Sequence, residues 1–502
     1  MSISAKRQFP APTAVPADYR PEEGYGPVIV PVTYPELVLN GKTWYVAPNG
    51  NDANDGAALG TAWKTLQHAV DTIGCGDTVL VAPGTYAGIV VKPENSGQAT
   101  GWKCIKALDP ANKPVIDTFS SKNEARNSFV QLYGDGMTAT APAQYTRYWI
   151  CENLITDNRQ NDWLDLSKNR YGFDTVIAQY IVIRNCEAYG CYLTGIFSSM
   201  VDWYLVENNW SQGNREHGYY NSCGGDNFIF RGNVAKENMG CGFHLNGGWD
   251  LPKEEADRDG IHENGLYEYN ICTGNGKTGG GSINMSGMRN GVVRNNLCYN
   301  EQAGGLTFYG GNAADTTRDT EIYNNTVLLA AGNERPCVTF DGNSLGHQCA
   351  THTEFVKPYK AEDRTGTPMN LYFYNNIFGT LGAETHLLND TETEGPGNPA
   401  LGSVPTGPRL AEPNVVFRGN LFTAPHNEDN FTDIPRAVTE ILLKNNQFCA
   451  DLTKIFADPT QMDFHLAPNS PARDIGVSIP AAHSPVDNDA KPRTNKNAGA
   501  FA

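Results

Sequence analysis

The chain has 502 residues, with 38 Lys plus Arg against 55 Asp plus Glu, for a formal net charge of −17. This acidic balance argues against nucleic acid as a partner, because binding to phosphates needs clustered cations. It leaves an anionic substrate open, since a local basic groove can lie on an acidic protein. No apolar run approaches the roughly 18–20 residues of a membrane span, so we expect none.

The N-terminus lacks the apolar core of a secretory signal. Four explanations remain open: a signal that was removed, unconventional export, a location inside a cell, or a location on a virus particle. We expect a secreted or virion-associated protein. None of the 12 cysteines forms a CxxC pair, which argues against a structural zinc site. We expect most of them to be reduced thiols stacked in the core.

Residues 1–42 form a Pro-rich arm, which fits either an extended tether to a larger assembly or a strap along the following domain. Residues 43–56 are typical of a strand followed by a Gly/Asn/Asp loop. Over residues 62–74, apolar residues recur at helical spacing, namely Trp63, Leu66, Val70 and Ile73. They predict an amphipathic helix that caps the open end of a repeat domain and blocks edge-to-edge addition.

A short β-prone strand that ends in Asn recurs from about residue 180. The Asn falls at residues 185, 209, 233, 270, 296, 325, 376 and 420. A period near 24 residues with occasional long insertions is typical of a solenoid whose coils share one cross-section. A second strand, which begins at a Gly or its equivalent, keeps the same step from "TGIFSS" at 194–199 to "CVTFDG" at 337–342.

Two to three such strands per coil, each pair joined by a turn, predict an all-β chain built as a parallel β-helix. We expect it to span residues 43–480, with long loops near 248–264, 311–320 and 343–368 and with residues 481–502 as a tail packing on the helix. Asn suits the turns, because it tolerates left-handed backbone and can hydrogen-bond to its copies on adjacent coils.

The stretches "YVAPNG", "AWKTLQHAVD" and "GDTVLVAPGTY" within residues 45–86, with the closing "DFHLAPNSPARDIG" at 463–476, resemble a known family. They are similar to right-handed parallel β-helix proteins of the pectate-lyase-like superfamily, over roughly residues 40–502. The resemblance implies a right-handed helix with an N-terminal capping α-helix. For activity it implies a choice among polysaccharide lyases, glycosidases, uronate epimerases, phage tailspikes and proteins with no known reaction.

Side chains alternate inward and outward along each Asn-ended strand. The predicted inward row is Val182, Val206, Phe230, Tyr267, Val293, Ile322, Phe373 and Phe417. One residue later, the outward row begins at Ile183 and contains a charge ladder made of Glu207, Arg231, Glu268 and Arg294. Regular alternation favours pairing between coils on a solvated face over a substrate clamp. Replacing either arginine should then cost at most about 1 kcal/mol.

The same alternation along the second strand predicts two outward rows. One row is Phe197, Tyr220, His244, Asn284, Thr307 and Thr339, and the other is Ser199, Ser222, Asn246, Ser286, Tyr309 and Asp341. His244 is therefore expected on the outside, between core residues Phe243 and Leu245. The three long loops leave the coil at one corner and should form a wall beside these rows, which would suit an extended carbohydrate chain.

Arg215, Glu216 and His217 stand at the start of this strand, one coil from His244. Two imidazoles and a carboxylate could do general acid/base work near neutral pH, although the turn could equally be a solvated one. The candidate catalytic residues are His217, His244, Glu216, Tyr309 and Asp341. The candidate substrate-binding residues are Arg215, Tyr220, Asn246, Trp249 and Asn284.

Three reactions compete for these residues. A lyase needs a base beside a uronate carboxyl group, and a cation or amide that neutralises this group, which the histidines and asparagines could supply. A uronate epimerase would use nearly the same groups. A glycosidase needs two carboxylates roughly 5–10 Å apart, and only Glu216 with Asp341 or an acid of the first long loop would serve. We therefore favour β-elimination of an acidic, uronate-containing polysaccharide.

A non-enzymatic role as a glycan-binding adhesin or virion spike is the other class of function, and a trimer would fit a spike. No cofactor is required by these residues. An acidic cluster on the first long loop could bind Ca²⁺, which prefers several oxygen ligands. Its spacing matches no calcium loop, which favours a solvated loop. The cluster consists of Glu254, Glu255, Asp257 and Asp259.

Overall fold

The computed structural model describes residues 29–120, 122, 127–136, 141–160, 171–248, 260–309, 317–341, 369–382, 388–390, 415–432, 436–479, 485–493 and 496–501. Nearly all regular structure in these residues is parallel β-sheet, arranged in three strips along one axis. Each complete coil contributes one strand to each strip, which is the architecture of a parallel β-helix. The predicted all-β fold class is confirmed.

The first strip holds the Asn-ended strands, preceded by strands of the first coils that do not end in Asn. In spatial order these are β1 (Thr43–Val46), β2 (Thr78–Val81), β5 (Lys103–Ala107), β8 (Thr146–Glu152), β10 (Tyr171–Arg184), β12 (Ile196–Glu207), β15 (Phe228–Arg231), β19 (Leu266–Glu268), β23 (Gly291–Arg294), β26 (Arg318–Tyr323), β29 (Met369–Tyr374) and β32 (Val415–Arg418). The strands β10 and β12 continue through a bend into the second strip, so the two strips form one sheet of 21 strands.

The second strip carries the predicted site rows. Besides the first halves of β10 and β12, it contains β4 (Ile89–Val91), β7 (Ser128–Tyr133), β14 (Tyr219–Ser222), β17 (Phe243–Asn246), β21 (Gly281–Ser286), β25 (Gly304–Tyr309), β28 (Val338–Asp341), β31 (Leu388–Asp390) and β34 (Phe431–Thr432).

The third strip is a separate sheet of 12 strands. It contains β3 (Thr85–Ala87), β6 (Val115–Thr118), β9 (Ile155–Asp157), β11 (Glu187–Tyr189), β13 (Trp210–Gln212), β16 (Val234–Lys236), β20 (Ile271–Thr273), β24 (Leu297–Glu301), β27 (Thr326–Leu329), β30 (Ile377–Thr380), β33 (Leu421–Phe422) and β35 (Gln447–Phe448). Two short pairs complete the strands, β18 (His262–Glu263) with β22 (Met288–Arg289), and the antiparallel β36 (Phe456–Asp458) with β37 (Asp463–Leu466).

The described residues include three α-helices, α1 (Leu66–Thr72), α2 (Arg436–Asn445) and α3 (Leu452–Ile455), and none of these is long and apolar enough to cross a membrane. Helix α1 lies where the sequence predicts a helix, but it is shorter than 62–74. It begins after Thr65, whose hydroxyl caps the helix by accepting from the His68 N–H. Its apolar face packs into the core beside the first strands, and its closure of the open end remains a prediction.

A ladder of buried asparagines joins the coils at the end of the first strip. The Oδ1 atom of Asn233 accepts from both the backbone N–H and the Nδ2 of Asn209, each at 3.0 Å. The same pattern continues through Asn270, Asn296, Asn325, Asn376, Asn420 and Asn446. The predicted member Asn185 is not part of the ladder, because Cys186 occupies its position and donates its N–H to Asn209.

The predicted inward row is consequently wrong by one residue in its first coil. Ile183, and not Val182, pairs with Val206 and lies in the core. Arg184 therefore takes the outward position that was predicted for Ile183. From Val206 to Phe417 the predicted row is confirmed by the register of successive strands.

The outer face of the first strip is covered by the N-terminal arm. Apolar side chains of the arm pack on it together with two residues near the C-terminus, namely Ile29, Val32, Tyr34, Leu37, Val38, Val477 and Ile479. The Tyr34 hydroxyl lies 3.1 Å from the Ile181 carbonyl oxygen and 2.8 Å from that of Trp203. The described part of the arm, residues 29–42, is thus a strap along the solenoid.

Three of the four members of the charge ladder on this outer face are buried, which corrects the prediction of a solvated face. Glu268 is 0% exposed, Arg294 is 1% and Arg231 is 6%. Each arginine donates to a different carboxylate oxygen of Glu268, at 2.5 Å from Arg231 and 2.6 Å from Arg294. The pairing between coils is as predicted. The predicted limit of about 1 kcal/mol is wrong, because removing one partner of a buried pair leaves an uncompensated charge.

The cysteines follow the prediction where the structure describes them. The eleven described cysteines form no disulfide, and eight of them are buried. Cys272 and Cys298 lie in register on adjacent coils as core thiols. In the tail, Phe501 packs on the outer face of the third strip, and Asn488 donates to the Asn295 carbonyl oxygen at 2.6 Å.

Candidate functional site

Three neighbouring strands of the second strip, β14, β17 and β21, carry four of the ten predicted site residues, and three more lie on the turn before β14. Their register aligns Tyr220 with His244 and His244 with Asn284. It also aligns Ser222, Asn246 and Ser286 in a second row. The neighbours of His244 along the chain, Phe243 and Leu245, are core residues, so the imidazole faces away from the core as predicted.

The two predicted histidines lie against each other. The rings of His217 and His244 stack with centroids 4.4 Å apart and planes 12° apart. His217 lies on the turn before β14. Its ring is held in place from the next coil, where the Cys241 backbone N–H donates to its Nδ1 at 2.9 Å. A backbone N–H can only donate, so the proton of the neutral His217 ring is on Nε2.

Burial keeps both imidazoles uncharged. It lowers the pKa of His217 to about 4. Burial also lowers the pKa of His244 well below its usual range, and the neighbouring His217 lowers it further. At neutral pH both rings are therefore neutral, with one nitrogen that carries a proton and one with a lone pair.

Amide and phenol groups surround His244. Asn284 Nδ2 lies 2.9 Å from His244 Nδ1, so Nδ1 accepts and the ring proton is on Nε2. The Tyr220 ring meets His244 edge-on at 4.6 Å, and its hydroxyl oxygen accepts from Asn246 Nδ2 at 3.0 Å. Burial raises the pKa of Tyr220, so the phenol keeps its proton at neutral pH.

Arg215 and Glu216 lie on the same turn as His217. The guanidinium of Arg215 stacks over the Tyr192 ring of the preceding coil, 4.5 Å from its centroid. Burial raises the pKa of Glu216, and the charge of Arg215 opposes that rise. Arg215 is thus held toward the preceding coil, and Glu216 remains the acidic group closest in sequence to His217.

The structure adds Cys241, which the sequence analysis did not select. Its Sγ lies 3.4 Å from His244 Nδ1 and accepts from the Gly281 N–H at 3.4 Å. Sγ and one ring nitrogen of each of His217 and His244 all lie within 4.8 Å of one another, so these three residues could hold a metal ion. The available signal was the spacing of Cys241 and His244, with two residues between them.

A second addition is His262, which supports the strand end that carries Asn246. It is fully buried, and its Nε2 lies 2.9 Å from the Asn246 carbonyl oxygen. Its Nδ1 lies 2.9 Å from the Gly225 carbonyl oxygen. This histidine ties the turn after β14 to the end of β17. No repeat pattern marks it, because it follows directly after an insertion.

The remaining predicted site residues are placed by backbone alone or lie outside the described residues. Strand register places Tyr309 next to Ser286, and Asp341 next to Tyr309. Asp341 is thus four coils from the coil that carries Glu216, or roughly 19 Å at the usual strand spacing. Trp249, the acidic cluster at 254–259 and most of the three predicted loops lie outside the described residues.

Comparison with known proteins found one matching family model and several similar solved structures. A family model described as "Right handed beta helix region" matches residues 108–251. No curated protein matches the chain. Similar solved structures include the complex of XylC with xylose, at 11% identity over 92% of this chain and 98% of that one, with a TM-score of 0.47.

Two further similar structures are lyases. A pectate lyase, Pel9A, is 14% identical over 92% of this chain and 97% of that one, with a TM-score of 0.36. An alginate lyase from Paenibacillus sp. is 14% identical over 55% of this chain and 90% of that one, with a TM-score of 0.35. The three strips and the stacked coils, with the matching family model, show that the chain is a right-handed parallel β-helix.

Proposed function

We propose that the chain is a carbohydrate-active protein that binds and cleaves an acidic polysaccharide by β-elimination on the outer face of its second strip. The observation that carries this proposal is the contact of 2.9 Å between Asn284 Nδ2 and His244 Nδ1. An amide that can bind a carboxylate there lies directly beside a neutral imidazole that can accept a proton.

The surface around this contact suits a glycan. The two outward rows present hydroxyl, amide and ring groups from one coil to the next. Rings pack on the faces of sugars, while amides and hydroxyls exchange hydrogen bonds with sugar hydroxyls. Among the described residues of β14, β17 and β21, the outward positions carry no carboxylate that would repel an acidic chain.

Substrate binding itself would release the base. A uronate carboxylate that accepts from Asn284 Nδ2 draws this amide away from His244 Nδ1. The freed lone pair then lies beside the carbon atom that bears the carboxyl group. β-Elimination requires the removal of the proton on this carbon. The hydrogen bond to the carboxylate stabilises the charge that develops as the proton leaves.

Tyr220 is positioned to complete the reaction. His244 takes the proton, the electron pair of the C–H bond forms a carbon–carbon double bond, and the bond to the glycosidic oxygen breaks. The leaving oxygen takes the phenolic proton of Tyr220, whose oxygen already accepts from Asn246 and is within reach of Ser222. Transfer of the proton from His244 back to Tyr220 restores both groups.

The other reactions fit this geometry less well or use the same groups. Hydrolysis by Glu216 and Asp341 would need these carboxylates within about 10 Å, whereas four coils separate them by roughly 19 Å. A uronate epimerase would use the same base and return a proton to the opposite face of the sugar. Simple glycan binding would use the same rows without turnover.

A panel of uronate-containing polysaccharides tests the proposal. Elimination produces unsaturated uronates that absorb in the ultraviolet, hydrolysis produces reducing ends alone, and epimerisation or binding produces neither. His244→Ala should lower the turnover by roughly 10²–10⁴-fold without unfolding the protein, because an outward side chain leaves no core cavity. Tyr220→Phe keeps the ring and should lower turnover similarly.

The exposed His426, on the surface near α2, offers a matched control, and His426→Ala should retain full activity. Full activity of a folded His244→Ala protein would remove the proposed base. Release of reducing ends without ultraviolet absorbance would replace elimination by hydrolysis.

A further inference from the structure

We propose that His217, Cys241 and His244 form a binding site for one thiophilic divalent cation of the zinc class. The three residues offer two imidazole nitrogens and one sulfur within 4.8 Å of one another. Such donors select zinc and similar metals, whereas Ca²⁺ and Mg²⁺ prefer oxygen. The site combines Cys241 and His244 of one coil with His217 of the preceding coil.

One pair of donors already has the separation that a single metal ion requires. Zinc binds sulfur at about 2.3 Å and nitrogen at about 2.0–2.1 Å, which places two such tetrahedral ligands about 3.5 Å apart. Cys241 Sγ and His244 Nδ1 are separated by 3.4 Å. The sulfur also accepts the Gly281 N–H at 3.4 Å, and a hydrogen bond of this kind stabilises a metal-bound thiolate.

The backbone around Cys241 leaves room for the sulfur. Gly280 has a φ of +98°, and a Cβ atom added there would lie 2.5 Å from Cys241 Sγ. A side chain at this position would therefore push the sulfur out of its place beside His244. The absence of a side chain at Gly280 therefore allows the left-handed backbone and leaves space for the Cys241 sulfur.

The third donor must move to bind. A metal ion lies in the plane of each imidazole that coordinates it, whereas the rings of His217 and His244 are nearly parallel, at 12°. Rotation of His217 about its Cβ–Cγ bond would break the hydrogen bond from the Cys241 N–H to Nδ1. The ring proton could then reside on Nδ1, and the lone pair of Nε2 would face the ion. Asn284 would then give up its contact with His244 Nδ1, and its amide would lie beside the open fourth position.

Metal binding would also regulate the site, a consequence that rests on the proposed function. His244 Nδ1 cannot hold a cation and accept a proton from a sugar at the same time. A bound ion should therefore block β-elimination, and a chelator should restore it. The binding itself does not depend on whether the protein is a lyase.

Titration of the reduced full-length protein with Co²⁺ tests the site. We expect one equivalent to give tetrahedral visible bands and a sulfur-to-metal charge-transfer band in the near ultraviolet, with release of the thiol proton. Cys241→Ser should abolish the charge-transfer band, and His217→Gln should weaken binding at least about 100-fold. The half-buried Cys449 is a matched control, because Cys449→Ser should leave the spectrum unchanged.

The outcomes separate the two proposals. Absence of binding to the wild-type protein, or a charge-transfer band that survives Cys241→Ser, would overturn the metal site. A metal-binding constant that His217→Gln leaves unchanged would show that His217 is not a ligand, and would overturn the three-ligand arrangement. Metal binding without any elimination activity would support the metal site and contradict the proposed lyase activity. Elimination activity without metal binding would support the lyase and contradict the metal site.

Discussion

Replacing Glu301 by Gln should stabilise the protein, and the gain should grow as the pH rises from 4.5 to about 7. Glu301 stands at the end of a second ladder, after Asn214, Asn238 and Asn275. Its Oε1 accepts from the backbone N–H and the Nδ2 of Asn275, at 3.2 and 3.0 Å. The carboxyl group is buried, with 1% of the residue exposed, and burial raises its pKa to about 7.

The sign follows from the direction of the shift. The pKa of Glu301 rises from 4.5 to about 7 on folding, so the protonated form is favoured in the folded protein. The stability that the protonated Glu301 carboxyl contributes to the folded protein is fully present below pH 4.5 and is lost as the pH rises through about 7. Linkage gives a cost of about 1 kcal/mol near pH 5 and about 3 kcal/mol near pH 8.5. The groups that face this carboxyl include the thiols of Cys241 and Cys272.

Glutamine keeps the carbonyl oxygen that Asn275 needs and cannot ionise. Denaturant unfolding of wild-type and Glu301→Gln proteins at about pH 5 and about pH 8.5 measures the effect. The variant should gain about 2 kcal/mol more at the higher pH than at the lower one. Glu237→Gln is the control, because Glu237 lies at the same turn two coils away with half of its side chain exposed. An equal change at both pH values would refute the burial of a titrating acid at this position.

Three further predictions concern the covered face and the C-terminal region. Arg294→Gln should lower the free energy of unfolding by roughly 3–5 kcal/mol in denaturant titrations, because it leaves Oε2 of the buried Glu268 carboxylate without its cation while Arg231 pairs only with Oε1; a loss below about 1 kcal/mol would favour the solvated ladder. Tyr34→Phe should cost about 1 kcal/mol and speed proteolysis of the arm, and unchanged cleavage would argue against the strap. The carboxylates of Asp489 and Asp463 raise the pKa of His465 to about 9, so the stability from this histidine is present below pH 6.5 and is lost as the pH rises through about 9. An NMR titration of the imidazole checks this, and an ordinary pKa would contradict it.

Much of the fold follows from local repetition and was predictable. Alternation around Phe243 and Leu245 was enough to place His244 outside the core, and strand register bears this out. The one-residue error at Val182 arose because the terminal Asn was used to align the coils. In that coil Cys186 fills the ladder position, and a thiol there gives no signal in the sequence.

The burial of the charge ladder was not predictable from the repeat. Alternation states which way Glu268 points, but it does not state what lies above it. A contact beside the ladder comes from the C-terminal tail, where Asn488 donates to the carbonyl oxygen of Asn295, next to Arg294, from 193 positions away. The tail has no periodicity that would assign it to one face. The cost of breaking an ion pair depends on that cover, since exposed and buried pairs differ by several kcal/mol.

Cys241 shows where alternation itself fails. Counting back two residues from the core residue Phe243 assigns Cys241 to the interior. Cys272 and Cys298, on other strands, are interior thiols. The strand begins only at Phe243, however, and the turn before it sets the sulfur beside His244 instead. Because His217 reaches the same point from the preceding coil, the donor cluster is a product of coil stacking at a turn. Side chains that precede a strand in a β-helix therefore need to be judged by their neighbours on adjacent coils, and not by the period of the strand that follows.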